Sequence, residues 1–234
     1  MGTLVALHVP FDRMNPYQRA LADALGQLGV RVNLQPFRWH VLSQMRNASV
    51  LHIHWTHGLV NSSLWRFMLG FPYLALQLLL LRARGRRIVW TVHNLQNHEK
   101  RNLWRDRLIT LLIGHVASSV VVHGEKARHA VQKHFRIGLH KIASIPHGNY
   151  IGIYPNTISR VEARSRLRIP ADSRVFLFLG NIRPYKGVET LIETFRAIKD
   201  PNAVLLIAGR PIDTATEARI RDLSSSDARI RIET

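Results

Sequence analysis

The stretch FLFLGNIRPYKGVETLIETF, residues 176–195, carries an apolar run to Gly180, presents Arg183 and Lys186, and opens an amphipathic run at Gly187. A strand tip followed by a helix start suits an anion. The first helical amides lack intrahelical partners, and the helix dipole favours negative charge there. Arg183 offers a planar fork for phosphate oxygens and Lys186 a compact point charge. Charge-assisted hydrogen bonds contribute about 1.5–3 kcal/mol each. Two of them, with the backbone amides, could hold a diphosphate and stabilise it as a leaving group. The same spacing also describes a basic loop that is merely solvated. No GxxxxGK[ST] P-loop occurs, and no GxGxxG follows the first strand.

Histidines form the second group. In HIHWTH, residues 52–57, His52 and His54 share one face of a strand. That spacing could suit a metal, but no carboxylate or cysteine joins them locally, and an apolar strand accounts for it; no metal is expected. His93 closes RIVWTVH at the carboxyl end of a strand, where open α/β sheets bind ligands. Histidine can donate or accept hydrogen bonds near neutrality. Taken alone, the residues better describe a satisfied strand-end histidine. His98 and Glu99 read as the cap of the next helix, and His147, in PHG, as a turn residue.

The elements that must position these groups alternate. Strands are expected at 3–9, 30–35, 49–55, 87–92, 118–123, 141–145, 174–179, 203–208 and 228–232, several of them near-continuous apolar runs of the kind covered on both faces. Helical patterns fall at 16–28, 62–83, 100–114, 124–135, 187–199 and 214–224. The first is announced by Asn15 and Pro16 and closed by Gly29. Short connections between strands and helices imply an α/β fold with parallel sheets wrapped by helices. Residues 149–172, with two prolines, a polar loop and a basic helix, join two modules. The expected division is 1–160 and 161–234, the second module having only three strands and two full helices.

Thirty-three Lys and Arg against 15 Asp and Glu give +18 over 234 residues, and there is no cysteine for a disulfide or thiolate site. The charge is uneven. Residues 1–170 carry net +17 and residues 171–234 net +1, while all 13 histidines lie at or before His147. The N-terminus, MGTLVALHVPFDRMNP, reads as a first strand and not a signal peptide. FMLGFPYLALQLLLL, residues 67–81, is 15 residues long and interrupted by Pro72 and Gln77. That is short of the roughly 20 needed to span a bilayer, so it reads as a buried or interface-lying helix. Residues 82–107 follow with eight basic side chains against two acidic. Each basic group near an anionic leaflet contributes about 1 kcal/mol, and Trp65, Phe67 or Phe71 could insert. The expected location is cytoplasmic, peripheral on the inner face of the cytoplasmic membrane. Nucleic acid is not expected as a partner, since no zinc finger, RRM signature or helix-turn-helix is present.

FLGNIRPYKGVETLIETF followed by AVLLIAGRP resembles the start of the C-terminal domain of the retaining glycosyltransferases of family 4, which have the GT-B fold. HVPFDRMNPYQRALADALGQLGVRV, SVLHIHWTHG, IVWTVHNLQNHE and ASIPHGNY resemble motifs of that family's first domain. The resemblance implies two Rossmann-like domains facing each other across a cleft, one binding a nucleotide diphosphate sugar and the other the acceptor. It implies retention at the anomeric carbon, no metal and no other cofactor. Gly180, Asn181, Arg183, Lys186, Gly187 and Arg210 would then bind the donor. His93 would be the catalytic residue near the transferred sugar, with His54 beside the acceptor, a glycan or lipid-linked (polyprenyl) sugar of exopolysaccharide or glycoconjugate synthesis. The family often has arginine directly after the glycine at position 180; here Asn181 stands there, and Arg183 could substitute. Its glycine-rich loop after the first strand is absent, residues 10–16 reading PFDRMNP. Its paired glutamates would lie beyond position 234, so the second module is expected to be the opening part of a donor domain with weak or no turnover. Alternatives are an inactive fragment of the enzyme, or a non-catalytic basic α/β module that binds a polyanion.

Overall fold

The computed structural model describes residues 3–38, 40–56, 63–96 and 102–233. Each of the nine apolar, β-rich runs forms a strand: β1 (Val5–Val9), β2 (Arg31–Leu34), β3 (Val50–Ile53), β4 (Arg87–Thr91), β5 (Ser119–Val122), β6 (Ile142–Ser144), β7 (Arg174–Leu179), β8 (Ala203–Ala208) and β9 (Ile230–Glu233). The helices are α1 (Tyr17–Gln27), α2 (Val41–Gln44), α3 (Leu64–Ala83), α4 (Leu103–Val116), α5 (Glu125–Phe135), α6 (Arg160–Arg166), α7 (Val188–Arg196) and α8 (Thr214–Ser224). The chain divides into two compact units, Met1–Tyr154 and Pro155–Thr234.

In the first unit six parallel strands run in the order β2-β1-β3-β4-β5-β6. The order reverses between β1 and β3, the topological switch point at whose carboxyl end such sheets leave a crevice. His8 on β1 stands opposite His52 on β3 in this register. Leu7, Leu51, Ile88 and Val120 fill the core on successive strands. Helix α1 starts as its sequence signals. Asn15 Oδ1 accepts from the Tyr17 amide at 3.0 Å, and the chain leaves through Gly29 at φ +80, with Val30 N–H reaching Leu25 O at 3.0 Å.

Helix α3 runs longer than its apolar stretch indicates, from Ser63 to the Gly85 exit, and its 20 residues are long and apolar enough to cross a membrane by length and composition. One side, with Phe67, Leu74, Leu78 and Leu81, lies in the core. Gln77 is buried with it because its Oε1 accepts from the Leu42 amide at 3.1 Å. That bond pins the single turn of α2, which has no signal in the sequence. The other side of α3 exposes Trp65, Met68, Leu69, Leu76 and Leu79. Of the three aromatics named for insertion, Trp65 is 77% exposed, whereas Phe67 is 2% exposed and Phe71 packs against the core.

The second unit is a three-stranded parallel sheet, β7-β8-β9, with α7 and α8 on one face around Ile192, Phe195, Leu205, Ile207 and Ile220. Here the expectation of strands covered on both faces fails for β7, whose Leu177 and Leu179 are 59% and 78% exposed. The basic helix of the join is α6, capped by Ser159 Oγ, which accepts from the Glu162 amide at 3.2 Å.

Candidate functional site

Apolar runs that close on histidine bring those histidines to one edge of the first sheet. His8 lies on β1, His52 and His54 at the end of β3, His93 after β4 and His123 after β5. They bond in series. His52 Nδ1 is 3.3 Å from His8 Nε2, His8 Nδ1 is 3.3 Å from His54 Nε2, and His54 Nδ1 is 3.4 Å from His93 Nε2. At the other end His52 Nε2 is 2.8 Å from Thr91 Oγ1. His93 is half-buried and stacks on Trp55 at 4.6 Å. Tyr17, at the start of α1, sets its ring 5.1 Å from His93, 5.6 Å from His123 and 4.9 Å from His147. Its hydroxyl lies 3.4 Å from His123 Nε2.

Burial disfavours the imidazolium here. It pushes His8 down to about 4, and His52 and His54 well below the usual histidine range, the neighbouring histidines adding repulsion for the latter two. Burial also raises the Tyr17 phenol. These groups are neutral at neutral pH and exchange hydrogen bonds, not charge. One nitrogen each of His8, His52 and His54 lies within 4.8 Å of the others. His8, however, turns one nitrogen to His52 and the other to His54, a geometry for bonds in series and not for one shared ion.

Two hollows adjoin the series. One, of about 20 Å³, is lined by His54, Trp55, His93, Asn94, Gln96 and Asp106 among others. The other, of about 540 Å³, runs along the sheet beneath α1, with His8, Tyr17, His52, Thr91 and His123 in its wall and apolar side chains such as Leu21, Val50 and Val89 over the rest. The sequence reading named His54 and His93 and missed His8, Thr91, Tyr17 and His123. A signal for the two missed histidines existed: like His93 in WTVH, His123 ends an apolar run in VVVH, and His8 stands one residue before the end of another in VALHV. Tyr17 and Thr91 carry no such mark. His147 does more than turn the chain, since its ring also lies 4.9 Å from His123. His57, His98 and Glu99 lie outside the described residues.

In the second unit Arg183, Gly187, Val188, Glu189 and Thr190 line a hollow of about 200 Å³ with Thr216 and Ile220. Gly187 is left-handed at φ +68 and starts α7, so the first amides of that helix line the hollow. Lys186 does not join the lining: it is exposed, with Nζ 5.6 Å from the centre of the Tyr185 ring. Asn181 and Arg210 are exposed nearby, and the Arg210 carbonyl accepts from the Ile182 amide at 2.9 Å. Gly180 and Gly209 close β7 and β8 side by side, at φ +137 and +156. Their lack of side chains brings two backbones together at the strand ends.

Residues 159–227 match the family of glycosyl transferases group 1. The GDP-mannose:glycolipid 4-beta-D-mannosyltransferase of Xanthomonas campestris is 30% identical over 228 residues, which cover 97% of this chain. The chain spans 59% of the length of that relative. Among solved structures, HepE of Anabaena, in complex with UDP and glucose, has a TM-score of 0.67 at 13% identity, covering 99% of this chain and 69% of that one. A UDP-N-acetylglucosamine 2-epimerase from Rickettsia bellii has a TM-score of 0.61 at 9% identity, covering 100% and 69%. These likenesses bear out the α/β fold class, with Rossmann-like parallel sheets of the GT-B type. A glycosyltransferase from Rickettsia africae has a TM-score of 0.65 at 13% identity, covering 99% of this chain and 68% of that one; it and the epimerase share the arrangement, so the fold by itself does not choose the chemistry.

Proposed function

We propose that the protein is a glycosyltransferase that moves a hexose from a nucleotide diphosphate sugar to a glycolipid acceptor, with GDP-mannose as the donor. The observation that carries this reading is the 30% identity along 97% of the chain to a GDP-mannose:glycolipid mannosyltransferase. The strand-end constellation of His54, His93 and Tyr17, at the switch point of the sheet, supplies groups suited to it. In this reading Arg183 and the amides after Gly187 bind the diphosphate, with Gly180, Asn181 and Arg210 around them and Lys186 in an outer position. His54 flanks the acceptor, and His93 meets the hydroxyl that is glycosylated. No step calls for a metal or another cofactor.

The family-4 resemblance implies retention. Mannose is α-linked in GDP-mannose, and the relative is named for 4-β-D-mannosyl transfer; a β product from an α donor is inversion. We carry that stereochemistry over in place of retention. Inversion by direct displacement needs a group that takes the proton of the acceptor hydroxyl, and His93 is the titratable side chain offered for that role.

In this reading the acceptor's lipid is polyprenyl, as in exopolysaccharide synthesis, and the enzyme works on the inner face of the cytoplasmic membrane. The exposed stripe Trp65, Met68, Leu69, Leu76 and Leu79 supports interfacial binding, with Arg82, Arg84, Arg86 and Arg87 at its end. The test is calorimetric titration with GDP and UDP, followed by incubation with GDP-mannose and a lipid-linked oligosaccharide and NMR of the anomeric proton. Specific binding of GDP and a β-mannosyl product are expected. Tight, salt-sensitive binding of DNA without nucleotide binding would instead mark a polyanion-binding module.

A further inference from the structure

The hollow beneath α1 is graded in polarity along its length. On three neighbouring strands the residue facing it is apolar, and the one two positions later forms hydrogen bonds: Ala6 then His8 on β1, Val50 then His52 on β3, Val89 then Thr91 on β4. Residues two apart in a strand share a face. The strands are parallel, so every change runs towards the carboxyl ends. The roof follows the same gradient. Tyr17 stands at the polar end, its ring 5.8 Å from that of His54, and Ala20, Leu21, Ala24 and Leu25 continue along α1 above the apolar end.

Protein does not fill this space. On the other face of the sheet Leu51, Ile88 and Val120 are fully buried. On this face Val50, Val89 and Val121 are only half-buried, as are Leu21 and Leu25 in the roof. Packed interiors leave few voids larger than a water molecule, whereas small-molecule sites measure roughly 300–1,000 Å³, a range that includes the 540 Å³ here. The chain carries 33 Lys and Arg, yet none of the described residues that wall the hollow is Lys, Arg, Asp or Glu. Burial keeps His8 and His52 uncharged at neutral pH. A phosphate would lose its hydration there and meet no opposite charge. A hydrocarbon would gain by leaving water, and hydroxyls beside it would find hydrogen-bond partners at the polar end.

We propose that this hollow is a lipid site, which takes a single hydrocarbon chain with an uncharged, hydroxyl-bearing head. The chain lies along the strands with its tip by Leu25 and Val30 and its head by Tyr17, Thr91 and Ile145. On the function proposed above, on which this last assignment rests, the occupant is the lipid end of the glycolipid acceptor. Its sugar then emerges beside His54 and His93, because His8 and His52 wall the hollow and also bond in series to them.

Titration of the full chain with n-decyl β-D-glucoside, kept below its micelle concentration and followed by NMR of labelled methyl groups, tests the site. Shifts are expected at Leu25, Val30, Val50 and Val89. A nitroxide at the tip of the chain should broaden Leu25 and Val30, and one on the sugar should broaden Ile145 instead. Ala20 is half-buried and Ala24 exposed, so Ala20→Phe and Ala24→Phe fill the hollow from α1 without removing a buried group. Each should weaken binding by roughly tenfold or more, Leu69→Asp on α3 should leave it unchanged, and decyl phosphate should bind less tightly than the glucoside. Silent methyls at these positions, equal affinity in the filled variants, loss through Leu69→Asp in their place, or tighter binding of the phosphate overturns the proposal. If the glucoside binds as expected and no mannose is transferred to a lipid acceptor, the lipid site stands and the proposed reaction falls. If mannose is transferred while the hollow takes no chain, the reaction stands and the lipid site falls.

Discussion

His8 and His52 occupy the same register position on β1 and β3 and meet through a bond of 3.3 Å between His8 Nε2 and His52 Nδ1. The pair makes the fold acid-sensitive. Burial holds His8 down to about 4 from 6.5, so the unfolded chain takes up this proton at a higher pH than the native one. Between those values the unfolded state binds more protons, and stability falls as pH drops. Above 6.5 both states are neutral at this site and the contribution is constant. His8 alone accounts for roughly 3 kcal/mol across the window, and His52 and His54 act in the same direction. Urea midpoints should be level above neutrality and decline steadily towards about pH 4. Equal midpoints at both ends of that range would mean that the histidines are hydrated in solution.

The alternation of strands and helices was legible because nine apolar runs are separated by caps and breakers that act locally, such as Asn15 before α1 and Gly29 after it. Helix α2 was not, because its anchors are tertiary: Gln77, which accepts from the Leu42 amide, lies 35 residues away in sequence, and Val41 is buried in the core. Gln77 itself read as an interruption of an apolar helix and is a tertiary bond. In the site, His93 was marked by the strand it closes. Tyr17 was hidden because it becomes part of the site only when β1, β4 and β5 lie in register beneath α1. Lys186 is a different case. Proximity in sequence to Arg183 suggested a shared ligand, but the 3₁₀ turn Pro184–Lys186 rotates the lysine out of the lining.

A Cβ on Gly209 would stand 1.8 Å from the Gly180 carbonyl oxygen. That oxygen is backbone and cannot swing aside, so Gly209→Ala should destabilise the second unit by at least about 2 kcal/mol. Gly29→Ala, with open space around it, meets only left-handed strain and should cost about 1 kcal/mol. Amide exchange in β7 and β8 should accelerate in Gly209→Ala. Tryptophan fluorescence should stay unchanged, since all five tryptophans lie at or before Trp104. Unaltered exchange in β7 would show that the two strand ends separate freely.

Arg183 and Lys186 should separate in nucleotide binding. Arg183 lines the hollow at the start of α7 and Lys186 does not. On the proposed reading, Arg183→Ala removes a charge-assisted contact of about 1.5–3 kcal/mol and weakens GDP binding by roughly tenfold or more. Lys186→Ala should weaken it by less than about threefold, as expected of a screened surface charge. Titration calorimetry at fixed ionic strength measures both. Equal losses would return the lysine to the site.

The two sides of α3 should respond differently to the same chemical change. Leu69 and Leu76 are exposed, whereas Leu78 is fully buried in the core. Leu78→Asp strands a charge among apolar side chains and should unfold the first unit. Leu69→Asp and Leu76→Asp should leave the thermal midpoint within a few degrees of wild type. If this side meets lipid, each removes an inserted side chain that contributes about 1.5–3 kcal/mol and adds a charge that an anionic leaflet repels. Co-sedimentation with vesicles rich in anionic lipid should then fall by roughly tenfold or more per substitution, and wild-type binding should weaken as salt rises because Arg82, Arg84, Arg86 and Arg87 act through a screened field. Binding unaffected by the aspartates, with lipid composition also immaterial, would leave the stripe without a membrane role. The strand-end site would stand regardless, because it is built from the opposite ends of different elements.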